Sequence, residues 1–195
     1  MNPEPKLNQA AIGSVVGGAL LTANTLWQGF LDLTDGGDAI LHDVSNPAYY
    51  VNVSMLIVAM WCIFLGMRGL NFVAMGGLWK TGFYISVIGQ LLFGLGNVMF
   101  LLIGLFNITS LVDTINPLTG ISNLIMYLGA LPMGLALCRT TIVSRTSSYL
   151  FLLTVPAVIL SMTVVYNHNA LLGGLLIGGV YGIAWILAGI GLSKQ

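Results

Sequence analysis

Five aspartates, two histidines and a scatter of amides are the side chains with most capacity for chemistry in this 195-residue chain. Four of the aspartates, Asp32, Asp35, Asp38 and Asp43, share twelve residues with His42. Such a set could hold a hard cation through its carboxylates, or a transition metal through the imidazole. The spacing departs from a calcium loop, which takes ligands at alternate positions around a central glycine. Gly36-Gly37 would nonetheless let the chain turn sharply and bring Asp35 toward Asp38. The plainer reading is a solvated acidic loop whose carboxylates cap helix ends and enforce topology. His168 lies in Asn167-His168-Asn169, on the same predicted face as His42. Two imidazoles on one face could ligate a metal or a haem. A haem held across a bundle, however, takes its histidines from inside facing helices, and no apolar run here contains one. His168 more simply supplies a polar turn. The candidate metal set is therefore Asp35, Asp38, His42, Asp43 and His168, and no cofactor is expected.

Neutral polar residues fall into a second pattern. Gly82, Ser86, Gln90, Gly94 and Asn97 recur every three or four residues, which puts them on one stripe of a helix. Ser14, Gly18, Thr22, Thr25 and Gln28 make another stripe, with Asn24 beside it, and Asn123 and Tyr127 share a face further on. Asn24, Gln28, Ser86, Gln90, Asn97, Asn123 and Tyr127 could form a seam for a small solute or for a lipid or quinone headgroup. The structural alternative is hydrogen bonding between helices, which is routine in a bundle interior. Gly174, Gly178 and Gly182 form a ridge of small residues at intervals of four, the signature of close helix approach. Gly13, Gly17 and Gly18 offer a matching surface within the chain. Pro132 and Pro156 fall inside apolar runs and favour kinks. Cys62 and Cys138 differ in depth, so a disulfide is not expected. Asn52-Val-Ser54 and Asn107-Ile-Thr109 read as coincidental sequons hugging the membrane. There is no Walker loop, no HExxH, no Gly-x-Ser-x-Gly and no dinucleotide fingerprint.

The elements that must position these residues follow from composition. Hydrophobic types make up 57% of the chain and charged residues 6%, with no net charge, 25 glycines and a mean hydropathy of +0.95. A water-soluble domain carries about 25% charged residues, so a soluble fold is excluded, and no basic cluster exists to bind nucleic acid. The twelve charges leave gaps that fit crossings of about 20 residues. The predicted spans are 10–31, 49–67, 81–106, 120–138, 147–166 and 170–192. The expected fold is an all-α integral membrane protein, a single bundle of six transmembrane helices. A β-barrel would need alternation with period two, which is absent. The first and second halves show no repeat that would mark an inverted-repeat transporter. The first span, with one lysine before it and no cleavage site after it, reads as an uncleaved helix.

Six crossings place Lys6, Arg68, Lys80, Arg139, Arg145 and Lys194 on one side, and all five aspartates on the other. The positive-inside rule then puts both termini in the cytoplasm. Tyr49, Tyr50, Phe106 and Tyr166 fall at outer ends, and Trp79, Phe83 and Tyr149 at inner ends, where amphipathic rings prefer to lie. Residues 69–79 are too apolar for an ordinary loop and too short to cross, which predicts an interfacial segment. Residues 32–48 and 107–119 are the long exterior loops. No span carries an interior Asp, Glu, Lys, Arg or His, which argues against pumps, proton-coupled carriers and intramembrane hydrolases. The leading expectation is a non-enzymatic subunit or accessory of a membrane complex. Its partners would be the bilayer and another membrane protein, or a second copy, through the sixth helix. The alternative is a passive channel or carrier for a small neutral or cationic solute. A third reading is a membrane enzyme or metal- or haem-binding protein built on the outer His and Asp residues.

Overall fold

Long apolar runs leave the backbone few ways to satisfy its own N–H and C=O groups in lipid, and the helix is the local one. A computed structural model describes residues 4–35, 43–73 and 76–194, without the side chains of 4–6, 35, 72, 73 and 166. Those residues are all-helical, with no strand among them. Helix α1 is Glu4–Asp35, α2 is Pro47–Val73 and α3 is Gly77–Phe106. A 3-10 turn at Thr109–Leu111 leads into α4, Val112–Leu137. Helix α5 runs Arg145–Leu160, passes through a π turn at Ser161–Val165 and ends with Tyr166–His168. Helix α6 comprises Ala170–Gly174, a π turn at Leu175–Gly179, and Val180–Leu192. Six stretches, one from each helix, are long and apolar enough to cross a membrane.

Short polar residues set the helix ends. Asn46 accepts from the Ala48 N–H at 2.9 Å, and Pro47 occupies the first helical position of α2, where a missing N–H costs nothing. Ser144 caps α5 through the Ser147 N–H at 3.2 Å, and Asn169 caps α6 through the Leu172 N–H at 2.9 Å. Helix α3 stops at Asn107, which takes a left-handed φ of 53° and donates to the Gly104 carbonyl at 3.2 Å.

Three sequence expectations need correction. Residues 69–73 and 77–79 do not form a separate interfacial segment. Helix α2 runs on through Val73 and α3 begins at Gly77, while Leu70 and Trp79 are buried in the bundle. The Trp79 indole N–H donates to Asn71 Oδ1 at 3.2 Å, which ties the two ends together. Apolar residues just beyond a crossing are thus buried by extending the helices. Residues 107–119 are likewise not one loop, because α4 begins at Val112 and includes Asp113 and Pro117. A carboxylate in the first turn complements the helix dipole. Tyr49, expected in an aromatic belt, also faces inward, at 3% exposure.

The helices pack in chain order, and α6 returns to α1 to close a ring. Several interfaces approach backbone to backbone at glycine. Between α1 and α2, an added Cβ at Gly17 would stand 2.7 Å from the Ile63 nitrogen. Between α3 and α4, one at Gly89 would stand 2.3 Å from the Met126 nitrogen. Between α1 and α6, one at Gly18 would stand 2.3 Å from the Gly182 carbonyl oxygen. The interior near α4, α5 and α6 is aromatic, with Phe151 and Trp185 edge-to-face at 5.1 Å and Tyr127 and Tyr181 at 5.3 Å. Neighbouring helices run antiparallel, since Gly13 meets Cys62 while Asn24 meets Asn52 at the other end. Arg68, Lys80, Arg139, Arg145 and Lys194 therefore gather at one end of the ring, and Asp32, Asp43 and Asp113 at the other.

Candidate functional site

At the aspartate end, α1 to α4 do not close completely. The last turns of α1 carry Asn24 and Gln28, four residues apart and so on one face. Asn24 is fully buried and donates through Nδ2 to Asn52 Oδ1 of α2 at 2.7 Å. Gln28 Nε2 reaches both neighbours, donating to Asn24 Oδ1 at 2.9 Å and to Asn52 Oδ1 at 2.8 Å. This three-amide cluster pins α1 to α2 and presents Gln28 and Asn52 toward α3 and α4, where a chamber of about 260 Å³ opens.

The opposite wall comes from α3 and α4. Asn97 is held by its own helix, donating to the Phe93 carbonyl at 2.8 Å. Asn116, Thr119 and Asn123 follow one another along the inward face of α4 at intervals of three and four. The Thr119 hydroxyl donates to the Asn116 carbonyl at 2.7 Å, and Asn123 Oδ1 is buried with no hydrogen-bond partner. Tyr49 donates its hydroxyl to the Phe100 carbonyl, bridging α2 to α3 beside the chamber.

Depth follows from helical register. Asp32, Tyr49, Phe100 and Asn116 lie toward the loop end, while Leu56, Phe93 and Asn123 lie toward the middle of the bundle. Beyond Leu56 and Phe93 the interior is filled by Met60, Met126 and Tyr127, all buried. The chamber therefore lies toward the aspartate end and, among the described residues, is stopped toward the middle of the bundle. Among the described residues, Asp32 is the charged member of its lining. Chemically the wall can exchange hydrogen bonds with a small polar guest.

The predicted seam divides into two groups. Gln28, Asn97 and Asn123 line the chamber, with Asn24 directly behind it. Ser86, Gln90 and Tyr127 lie deeper and serve contacts between helices. Ser86 donates to the Met126 carbonyl at 3.0 Å, Gln90 donates to the Met60 carbonyl, and Tyr127 packs on Tyr181. Helices α1 and α3 are not direct neighbours; the chamber separates their polar stripes. Gly94 turns away and lines an apolar groove of about 300 Å³ on the outer side of α2 and α3, with Trp61 and Phe64.

The ridge of α6 is occupied within the chain. A Cβ on Gly174 would stand 2.5 Å from the Thr25 carbonyl, and one on Gly178 2.3 Å from Thr25 Cγ2. One on Gly182 would stand 2.3 Å from Thr22 Oγ1. Of the candidate metal residues, Asp38, His42 and the Asp35 side chain lie outside the described residues. Asp43 turns onto Ser45, accepting from its hydroxyl at 2.7 Å and its N–H at 2.9 Å, and these bonds hold its pKa below the ordinary carboxylate value. His168 is exposed at the end of α5. Among the described residues, no three His, Cys, Asp or Glu side chains converge.

Sequence reasoning missed Asp32, Tyr49, Asn52, Asn116 and Thr119 as parts of this wall. Asn52 carried a signal that could have found it, an amide inside an apolar run, but it was read only as a sequon. Asn116 and Thr119 fell in a segment expected to be loop. The chain matches no protein-family model, no curated protein and no solved structure.

Proposed function

We propose that this chain is a multi-pass membrane protein with both termini in the cytoplasm, and that its chamber binds a small polar solute, neutral or cationic, from the outer side. The orientation is supported by the segregation of Lys and Arg from Asp at opposite ends of the ring. The observation that carries the functional reading is the chamber itself. Amide-bearing side chains from each of α1 to α4 surround about 260 Å³ of space at one end of an otherwise apolar bundle. Amides both donate and accept, so they can replace the hydration of a guest rich in hydroxyl or amino groups. The volume lies just under the about 300 Å³ at which pockets for drug-sized ligands begin, which favours a small guest. The closed floor at Leu56 and Phe93 supports a carrier-like, outward-facing pocket over a continuously open pore.

Uptake into proteoliposomes tests this reading. Glycerol or a small amine should enter faster than into protein-free vesicles, and Asn97→Leu with Asn123→Leu should abolish the excess. Equal rates in wild type, variant and empty vesicles would remove it.

A second reading, a subunit of a membrane complex, would need a face other than the α6 ridge. The groove beside Trp61, 64% exposed, and Gly94, with open space before its Cα, supports such a role. Reproducible co-purification of one membrane protein, lost on Gly94→Leu, would favour it. Recovery of the chain alone in mild detergent would sink it.

A further inference from the structure

We propose that two copies of this chain associate side by side in the membrane through the groove on the outer side of α2 and α3, each setting its Trp61 indole over the other's Gly94 and donating the indole N–H to the other's Gln90. The proposal rests on the subunit reading, names its partner, and is independent of the chamber. Among the described residues, the groove is lined from the middle of two helices, by Met60, Trp61 and Phe64 of α2 and by Gln90, Gly94 and Leu95 of α3.

Two polar atoms of this lining lack a partner within the described chain. Gln90 is 3% exposed; its Nε2 donates to the Met60 carbonyl, while Oε1 is buried and accepts nothing. Trp61 is 64% exposed and packs its ring on Phe64 at 6.0 Å, and among the described residues its indole N–H meets no acceptor. Both residues lie near the middle of their helices, Gln90 in Gly77–Phe106 and Trp61 in Pro47–Val73. They also share a depth, because Gln90 bonds the carbonyl of the residue preceding Trp61. Hydrocarbon offers an indole N–H no acceptor at that depth, and tryptophan otherwise gathers at the membrane interfaces. A donor and an acceptor are thus stranded at one level on one face of the chain.

Two copies inserted in the same direction are related by a two-fold axis along the membrane normal, which keeps every residue at its own depth. In such a pair residue i meets j and j meets i, so Trp61 of each copy meets Gln90 of the other and both stranded groups are satisfied twice. The broad terminal torsion of glutamine lets Oε1 turn toward the incoming N–H. Shape agrees with polarity. Gly94 lies one turn from Gln90 on the same stripe, and a Cβ added there would have nothing within 4 Å. The groove encloses about 300 Å³, and an indole standing out from α2 is the knob for that hole. A lipid suits the site less well. Its polar groups lie at the interface, about 15 Å from the middle of a hydrocarbon layer about 30 Å thick, and so out of reach of Gln90. The glycine ridge of α6, the other surface built for close approach, is already filled by Thr22 and Thr25 of α1.

The test is the oligomeric state of the full-length protein, read by energy transfer between differently labelled copies in liposomes over a range of lipid dilutions, with the mass in mild detergent beside it. Wild type should be a dimer that dissociates as lipid is added. Gly94→Leu fills the hole and should leave a monomer whose unfolding midpoint shows it to be folded. Trp61→Phe keeps a ring but removes both symmetric hydrogen bonds, each worth about a factor of 3 to 15 in a membrane bundle, and should weaken association by about tenfold or more. With Cys62 and Cys138 replaced by alanine, Leu95→Cys should be cross-linked between copies by a short bifunctional maleimide, and Ile190→Cys, at a position 43% exposed on α6, should not. A dimer that ignores Gly94→Leu and Trp61→Phe, or that cross-links only at position 190, would overturn the interface. A monomer that co-purifies with a different membrane protein, lost on Gly94→Leu, would overturn the second copy while leaving the subunit reading standing. A monomer recovered with no partner would overturn both.

Discussion

Gly89 and Gly94 lie five residues apart on α3, and replacing each by alanine separates helix propensity from helix packing. Both substitutions gain the same intrinsic term, up to about 1 kcal/mol in favour of alanine. At Gly94 nothing stands within 4 Å of the new methyl, so that gain is kept. At Gly89 the methyl would stand 2.3 Å from the Met126 nitrogen, 2.7 Å from its Cα and 2.8 Å from the Ser122 carbonyl oxygen. All three are backbone atoms, and no side-chain rotation relieves them. Restoring a contact of about 3.4 Å requires α3 and α4 to separate locally by about 1 Å, and overpacking of this kind costs about 1–3 kcal/mol. Gly89→Ala should thus be destabilising overall by up to about 2 kcal/mol, Gly94→Ala neutral to stabilising, with the two separated by about 1–3 kcal/mol. At about 2–4 °C per kcal/mol for a chain of this size, the unfolding midpoints should differ by at least about 2 °C. Circular dichroism of both variants in one detergent, with a titration in SDS as a second denaturant, measures the gap. Midpoints equal within error, or a less stable Gly94→Ala, would refute the glycine-mediated contact between α3 and α4.

Asn24→Leu removes a donor and an acceptor from the three-amide cluster. At about 0.6–1.7 kcal/mol per hydrogen bond in a membrane bundle, it should cost roughly 1–3 kcal/mol in the same unfolding assay, and unchanged stability would show that the cluster holds nothing together. Asn169→Ala deletes the cap that accepts the Leu172 N–H and should cost about 0.5–2 kcal/mol, whereas Asn169→Asp should retain most of the stability. Asp43 has its pKa lowered by the Ser45 bonds, so their stabilisation is present above the ordinary carboxylate pKa and is lost as pH falls through the lowered value. NMR titration should therefore find the Asp43 pKa higher in Ser45→Ala, and an unchanged value refutes the assignment. Cys138 is exposed at the end of the ring that carries the arginines. A membrane-impermeant maleimide should label it in inverted vesicles and not in intact cells; the opposite pattern reverses the orientation.

Some of this architecture was legible in the sequence for a definite physical reason. Charged side chains are costly within a bilayer, so their positions mark where helices can end, and six apolar helices follow from twelve charges. Charge marks the membrane boundary and not the helix boundary, however. Helix α4 passes through Asp113, which complements the dipole in its first turn, and through Pro117 beyond that turn, while α1 continues through Asp32 to Asp35. The π turns at Ser161–Val165 and Leu175–Gly179 had no signal at all. They face one another across a hydrogen bond from Ser161 Oγ to the Gly173 carbonyl at 2.8 Å, a relation between two helices that no local pattern encodes. In the same way, the amide stripes of α1 and α3 were readable as stripes, while Asn52, the residue that links Asn24 and Gln28, sits alone in the apolar run of α2.

The chamber has a cause in the distribution of glycine. Gly13, Gly17 and Gly66 draw α1 against α2, and Gly82, Gly89 and Gly129 draw α3 against α4, so the first four helices form two tight hairpins. The hairpins meet along α2 and α3, where the spacers are large: Asn71 against Trp79, Met60 against Gln90, and Tyr49 against Phe100. On that seam Gly104 has tyrosine rings as its nearest neighbours, and Gly94 has open space before it. Helices spaced by such side chains leave room that hairpins closed by glycine do not. At the arginine end the room is filled by Met67, Leu70 and Trp79, all buried. At the aspartate end Asn52, Asn97 and Asn123 stand where large apolar side chains would otherwise close the gap. Small residues thus determine which helices touch, and the shorter polar side chains determine which end of the remaining seam stays open. A spacing of four between glycines states only that some backbone comes close. The hollow arises where two such contacts, each satisfied within its own hairpin, leave the surface between them to bulkier residues.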